Sequence, residues 1–194
     1  YPYYDNSKKK IKHTEFLDKL ITLPEQSTII LHACCHNPTG LDLKNSQWNE
    51  VLSVIEEKNH IPFLDIAYQG FKDGIDEDAE IIRRFVSRIR PTFVASSFSK
   101  SLSSYGERVG ALSIATNSNS ESEKVLRHLK KIVRSNYSNP PTYGQYLVTE
   151  VLTDKNARIQ WNEELNTMRN RIKATRVALV ELLKNNNKSR DFSF

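Results

Sequence analysis

Lys100 stands in the run Ser96-Ser97-Phe98-Ser99-Lys100-Ser101, eight residues ahead of Arg108. The apolar run Phe93-Val94-Ala95 leads into it, so the lysine falls just beyond the end of a buried strand. Burial and a second cation nearby both disfavour the ammonium form, which favours a neutral amine able to attack an aldehyde. The hydroxyls of Ser97 and Ser99 and the guanidinium of Arg108 are donors suited to a phosphate, the arginine by a planar fork and the serines by single bonds. Together these residue types describe a seat for an aldehyde that carries a phosphate.

The elements that must position this seat can be read from the pattern. Thr28 to Ala33 is a continuous, β-branched apolar run, which predicts a strand covered on both faces. Asp42 to Asn59 reads as an amphipathic helix, with Trp48, Val51, Leu52 and Ile55 at helical spacing. Ile61 to Leu64 returns as a short strand closing at Asp65, which completes a strand-helix-strand unit. Asp73 to Arg88 reads as one helix, acidic at its start and basic at its end as the macrodipole prefers. Strands over Thr92 to Ser97 and Val109 to Ala115 follow, then helices over Ser120 to Val133 and Thr142 to Leu152. Within residues 1–27 a short helical pattern, Phe16, Leu17, Leu20 and Ile21, ending at Pro24, predicts a lead-in helix. The whole predicts an α/β fold, a mostly parallel sheet flanked by helices, whose sites lie beyond the carboxyl ends of the strands. Asn37, Asp65 and Lys100 all fall at or just after predicted strand ends.

After Thr153-Asp154, residues Trp161, Leu165, Met168, Ile172, Thr175, Leu179 and Leu182 recur at alternating steps of four and three. That spacing marks one apolar seam on a helix of about 30 residues, near 45 Å long. A coiled coil and a helix linking two domains both fit it.

Composition narrows the function classes. With 38% hydrophobic and 26% charged residues the chain is ordinary for a globular protein, and its apolar runs fall far short of the roughly 20 residues of a membrane-spanning helix. The net charge of +5 is spread over helical faces rather than gathered with stacking aromatics, which argues against nucleic-acid binding. The two cysteines are adjacent, Cys34-Cys35, and read as reduced packing residues of a cytoplasmic protein. No His/Cys spacing suggests a metal.

Four segments carry a family resemblance: His32 to Gly40 (containing Cys34-Cys35-His36-Asn37-Pro38), Leu64 to Phe71, Ser97 to Gly110, and Arg134 to Pro141. In this order and at these separations they resemble class I, fold-type I aminotransferases, most closely the aspartate and aromatic amino-acid group. The resemblance implies pyridoxal 5′-phosphate as cofactor, joined to Lys100 as a Schiff base, with Lys100 also the base of proton transfer. It implies ping-pong transamination between an amino acid, aspartate or aromatic, and a 2-oxo acid such as 2-oxoglutarate. A fold-type I lyase or synthase using the same lysine is the rival chemistry, and an inert structural segment is the rival without chemistry.

The same resemblance distributes the remaining roles. Asp65 would face the pyridinium nitrogen, although a strand-end aspartate also suits a turn cap. Tyr68 and Asn37 would donate to the cofactor's phenolic oxygen, with Asn37 also near substrate. Ser97, Ser99 and Arg108 would hold the phosphate, and His32 would stand behind Asp65. Arg134 would reach a substrate carboxylate across the interface of a homodimer with shared active sites; a helix-end arginine satisfying carbonyls is the plainer alternative. The Asn37–Pro38 bond would be cis. Residues 1–152 would form part of the large cofactor-binding domain, 153–185 the inter-domain helix, and 186–194 the start of a truncated small domain. The chain would thus be an internal fragment of a longer polypeptide, poorly active alone, with neither nucleic acid nor membrane as partner.

Overall fold

In a computed structural model that describes residues 1–186, four strands form one mixed sheet in sequence order: β3 (Thr28–His32), β4 (Ile61–Ile66), β5 (Thr92–Ser97) and β6 (Gly110–Ala115). The first two pairings are parallel and the last, β5 with β6, is antiparallel. A separate hairpin of β1 (Tyr4–Asp5) and β2 (Lys10–Ile11) precedes them. The helices are α1 (His13–Thr22), α2 (Asn45–Glu57), α3 (Ile75–Asp78), α4 (Glu80–Arg88), α5 (Asn119–Asn136), α6 (Tyr143–Thr153) and α7 (Lys155–Asn186). This is the α/β architecture that the alternation of apolar runs implies. The region expected to begin a small domain lies, beyond Asn186, outside the described residues.

The core lies on one face of the sheet. Ile29, Leu31, Leu64, Ile66 and Val94 point from the strands into Phe16 and Leu20 of α1, Trp48, Val51, Leu52 and Ile55 of α2, and Ile81 and Phe85 of α4. The helical periodicity of α2 therefore reports its buried stripe directly, since the same four residues are its buried ones. Strand β3 departs from expectation: only alternate residues are buried, and Ile30 on the other face is 58% exposed. A continuous apolar run does not by itself say which faces are covered, and no helix of the described residues lies over Ile30. Phe63 and Phe93 stack on that second face, ring centroids 5.7 Å apart.

The predicted helix over Asp73 to Arg88 is split at Ala79, and the cause is the side chain of Asp78. This carboxylate is only 4% exposed and accepts four backbone N–H groups of the preceding loop. Gly70 and Lys72 donate to Oδ2 at 2.8 and 3.1 Å, and Asp73 and Gly74 to Oδ1 at 2.9 and 3.4 Å. A buried carboxylate is tolerable only with such donors around it.

Helix α7 packs through the first part of its seam and is bare along the rest. Leu165 is fully buried, whereas Ile172, Leu179 and Leu182 are 45%, 54% and 60% exposed. Leu165 abuts Gly70, whose φ of +92° favours glycine and where a Cβ would sit 2.3 Å from Leu165 Cδ2. Arg169 Nη1 donates to the Gly70 carbonyl at 2.8 Å, so loop and helix are joined by packing and by a hydrogen bond.

Asp78→Ala would leave four N–H groups without their acceptor, those of Gly70 and Gly74 in buried surroundings, and a destabilisation on the order of 3 kcal/mol is expected in urea unfolding. The exposed neighbour change Asp76→Ala should cost less than about 0.5 kcal/mol. Equal effects of the two substitutions would contradict the role given to Asp78.

Candidate functional site

The register of the parallel strands sets the site. His32 of β3 lies beside Asp65 of β4, and Asp65 beside Ala95 of β5, so one row crosses three strands near their carboxyl ends. Side chains alternate along a strand, which puts His32 and Asp65 on the face opposite Leu31 and Leu64 and away from the core. Beyond that row the chain turns into the three loops that carry Asn37, Tyr68 and Lys100.

Each loop is held by identifiable contacts. Phe98 N donates to Val109 O at 3.2 Å, and Leu102 N closes a helical turn onto Phe98 O at 3.1 Å, with Lys100 inside it. Trp161 of α7 reaches across to donate its indole N–H to Ser101 O at 2.7 Å. The loop after β3 is gathered by Asp42, whose two oxygens accept from Cys35 N at 2.9 Å and His36 N at 2.8 Å. Lys72 Nζ stands 3.3 Å from the same carboxylate. The Asn37–Pro38 peptide is cis, as the family resemblance implies.

The result is a cavity of about 220 Å³ lined by His32, Cys34, Cys35, Asn37, Asp65, Ala67, Tyr68 and Lys100. It adjoins a wider cleft of about 750 Å³, and Cys35, Asn37, Tyr68 and Lys100 border both. The cleft has the size of an ordinary small-ligand pocket, for which about 300–1,000 Å³ is typical. Lys100 Nζ lies 4.9 Å from the centre of the Tyr68 ring, within reach of a cation–π contact. His32 Nδ1 accepts the Asn37 N–H at 3.2 Å, so in the neutral ring Nε2 carries the proton.

Of the residues singled out in the sequence, His32, Asn37, Asp65, Tyr68 and Lys100 share this cavity. The others stand outside its lining. Ser97 ends β5 and its Oγ accepts the Ser99 N–H at 3.2 Å, while Ser99 itself is buried. Arg108 is exposed in the left-handed region (φ 53°) and donates to Tyr105 O at 3.0 Å. Arg134 falls within the last turn of α5, not after the helix, and its guanidinium binds Ser138 Oγ. It is exposed and is not among the residues that line the cavity.

Three side chains of this region went unread in the sequence as parts of a site. Cys34 and Cys35 pack in and against the hydrophobic core, as expected, and also form part of the cavity wall. Asp42 carries no periodic signal, and only the need of a tight loop for N–H acceptors could have pointed to it.

A family model described as aminotransferase class I and II matches residues 1–194. Aspartate aminotransferase of Pseudomonas aeruginosa is 52% identical over 194 residues, which is all of this chain and 49% of that protein. Aromatic-amino-acid aminotransferase of Escherichia coli is 45% identical over 194 residues, again 49% of its length. A crystal structure of an aromatic-amino-acid aminotransferase from Burkholderia pseudomallei, covalently bound to pyridoxal phosphate, superposes with a TM-score of 0.97 at 49% identity, over all of this chain and 48% of that one. The chain therefore spans about half the length of the curated relatives it matches.

His36, beside the cavity, offers a test of the local electrostatics. Its ring stacks on Tyr3 with centroids 3.8 Å apart, and Nδ1 meets Thr39 Oγ1 at 2.9 Å. Burial lowers its pKa first and the neighbouring His32 adds to this, against an opposing pull from Asp42. The unfolded chain thus binds more protons than the folded one between the lowered value and about 6.5, so this group's stabilisation is present above about pH 6.5 and is lost as pH falls through the folded value. Imidazole resonances should give a His36 midpoint below about 6.5, moving upward in His32→Gln. A midpoint at or above that of a free histidine would contradict the placement.

Proposed function

This chain belongs to the class I and II aminotransferase family, and from that premise we propose that the complete protein transfers an amino group from aspartate or an aromatic amino acid to a 2-oxo acid, using pyridoxal 5′-phosphate. The observation that carries the reading is the single cavity at the carboxyl ends of three adjacent strands where Asn37, Asp65, Tyr68 and Lys100 converge. An amine, a carboxylate, a phenol and an amide around one space are the donor set that a phosphorylated pyridine aldehyde requires, so the residues fit the group. When bound, the cofactor supplies the electron sink that makes a Cα proton removable.

Within that reading each side chain has a task. Lys100 Nζ would hold the cofactor through its aldehyde carbon and would be the base for the proton on substrate Cα. Asp65 would hold a proton at the ring nitrogen, and His32, its neighbour across the strand pair, fixes the loop through the Asn37 N–H. Tyr68 and Asn37 would donate to the phenolic oxygen, and Asn37 would also serve the substrate. Ser97, Ser99 and Arg108, which stand outside the cavity lining at and beyond the end of β5, would be the donors for the phosphate.

Arg134 stands outside the lining of the Lys100 cavity. It is the candidate that a neighbouring subunit lends to bind a substrate carboxylate, which makes the complete protein a homodimer with shared sites. Residues 1–152 then belong to the large domain and 153–185 to the helix that joins it to a smaller one. A cytoplasmic setting belongs to the same reading. Among the described residues no helix is long and apolar enough to cross a membrane.

Borohydride treatment of the full-length protein with pyridoxal phosphate should fix the cofactor on Lys100, as peptide mapping reads it. Lys100→Ala should lower amino-acid turnover at least about a hundred-fold. Turnover without a 2-oxo acid acceptor would favour the lyase alternative, and fixation on another lysine would overturn the assignment. Mixing full-length Lys100→Ala and Arg134→Ala proteins under subunit exchange should restore activity that neither has alone. Failure to restore it, with hybrid dimers present, would place Arg134 in its own subunit's site or in none.

A further inference from the structure

The wall of the cavity contains two nucleophiles that transamination does not use. Cys34 and Cys35 are the chain's two cysteines, both free of disulfides, and both line the space shared with Lys100. In a regular strand, neighbouring side chains point to opposite faces. Here the backbone leaves the strand at His32, and Cys35 takes a left-handed conformation with φ of 51°. That turn leaves both cysteines bordering the same cavity instead of opposite faces of a strand. The conformation is not accidental slack, because the Asp42 carboxylate grips the N–H groups of both Cys35 and His36.

Two sulfurs held in this way suit a particular class of ligand. A direct disulfide is disfavoured, since consecutive Cα atoms lie about 3.8 Å apart and disulfides need about 4.4 Å or more. A single soft atom inserted between the sulfurs lengthens the link and removes that conflict. We propose that Cys34 and Cys35 form a dithiol site for thiophilic trivalent arsenic, opening into the cavity beside Lys100 and Tyr68.

The capture is a substitution without change of oxidation state. Arsenous acid loses two hydroxyl groups as two waters, the two thiols supply the two protons, and two sulfur–arsenic bonds form. Attack begins at Cys35, the more exposed of the two. Its thiol pKa is held down chiefly by the hydrogen bond from Cys34, which raises the thiolate fraction. Cys34 is buried and its pKa is pushed up, first by that same hydrogen bond and then by burial, so it closes the ring second. This site stands on the loop's geometry and does not depend on Lys100 carrying a cofactor.

Native mass spectrometry of the full-length protein titrated with arsenite tests it. The folded protein should gain one arsenic atom with loss of two waters, and excess of a small dithiol should remove it. Cys35→Ser should need at least about a hundred-fold more arsenite, the loss of one arm of a two-point attachment. Cys34→Ser should do the same, and the partly exposed Cys35→Ser remains decisive if the buried substitution impairs folding. An arsenic adduct that survives Cys35→Ser unchanged, no adduct on the folded wild type, or equal uptake by the urea-unfolded protein would overturn the proposal.

Discussion

The constraint on which this structure turns is strand register. Parallel pairing of β3, β4 and β5 sets His32, Asp65 and Ala95 in a single row, and the chain leaves each strand within a few residues of it. Because side chains alternate, a shift of one residue in β4 would carry Asp65 into the hydrophobic core and Leu64 out of it. The core prevents that slip: Leu64 and Ile66 are buried against helices, and exchanging either for Asp65 would bury an unpaired carboxylate. Packing on one face therefore determines the chemistry displayed on the other.

The loops beyond the row need a second kind of order, since irregular backbone cannot bond to itself as a strand does. Two carboxylates provide it. Asp42 gathers the Cys35 and His36 N–H groups after β3, and Asp78 gathers four N–H groups after β4. After β5, the long helix takes this part, through Trp161 to the Ser101 carbonyl, while its Arg169 and Leu165 secure the loop at Gly70. The same helix thus ties together the Lys100 turn and the loop next to Tyr68. Its exposed second half bears Ile172, Leu179 and Leu182, a seam uncovered in this chain, which is about half the length of its relatives.

Much of this was legible in the residues. Trp48, Val51, Leu52 and Ile55 announced α2 by their spacing, and the apolar runs announced β3, β4 and β5 because buried strands require them. The strand-end positions of Asp65 and Lys100 pointed to a common site, since parallel sheets display their loops at one edge. The hairpin of β1 and β2 was not legible: strands of two residues leave no alternation to detect. The break at Ala79 was hidden because Asp78 reads as a favourable helix-start charge, whereas its side chain is committed to the loop behind it. The bare face of β3 could not be seen either, as burial of Ile30 depends on what lies over the sheet and not on the strand's own residues.

The central claim is that one pyridine ring sits between the amine of Lys100 and the carboxylate of Asp65. A crystal structure of the full-length protein with pyridoxal phosphate tests this most directly. The account predicts continuous density from Lys100 Nζ to the cofactor, with an Asp65 oxygen within about 3 Å of the ring nitrogen. A cofactor bound elsewhere, or a ring nitrogen facing any group but Asp65, would contradict it.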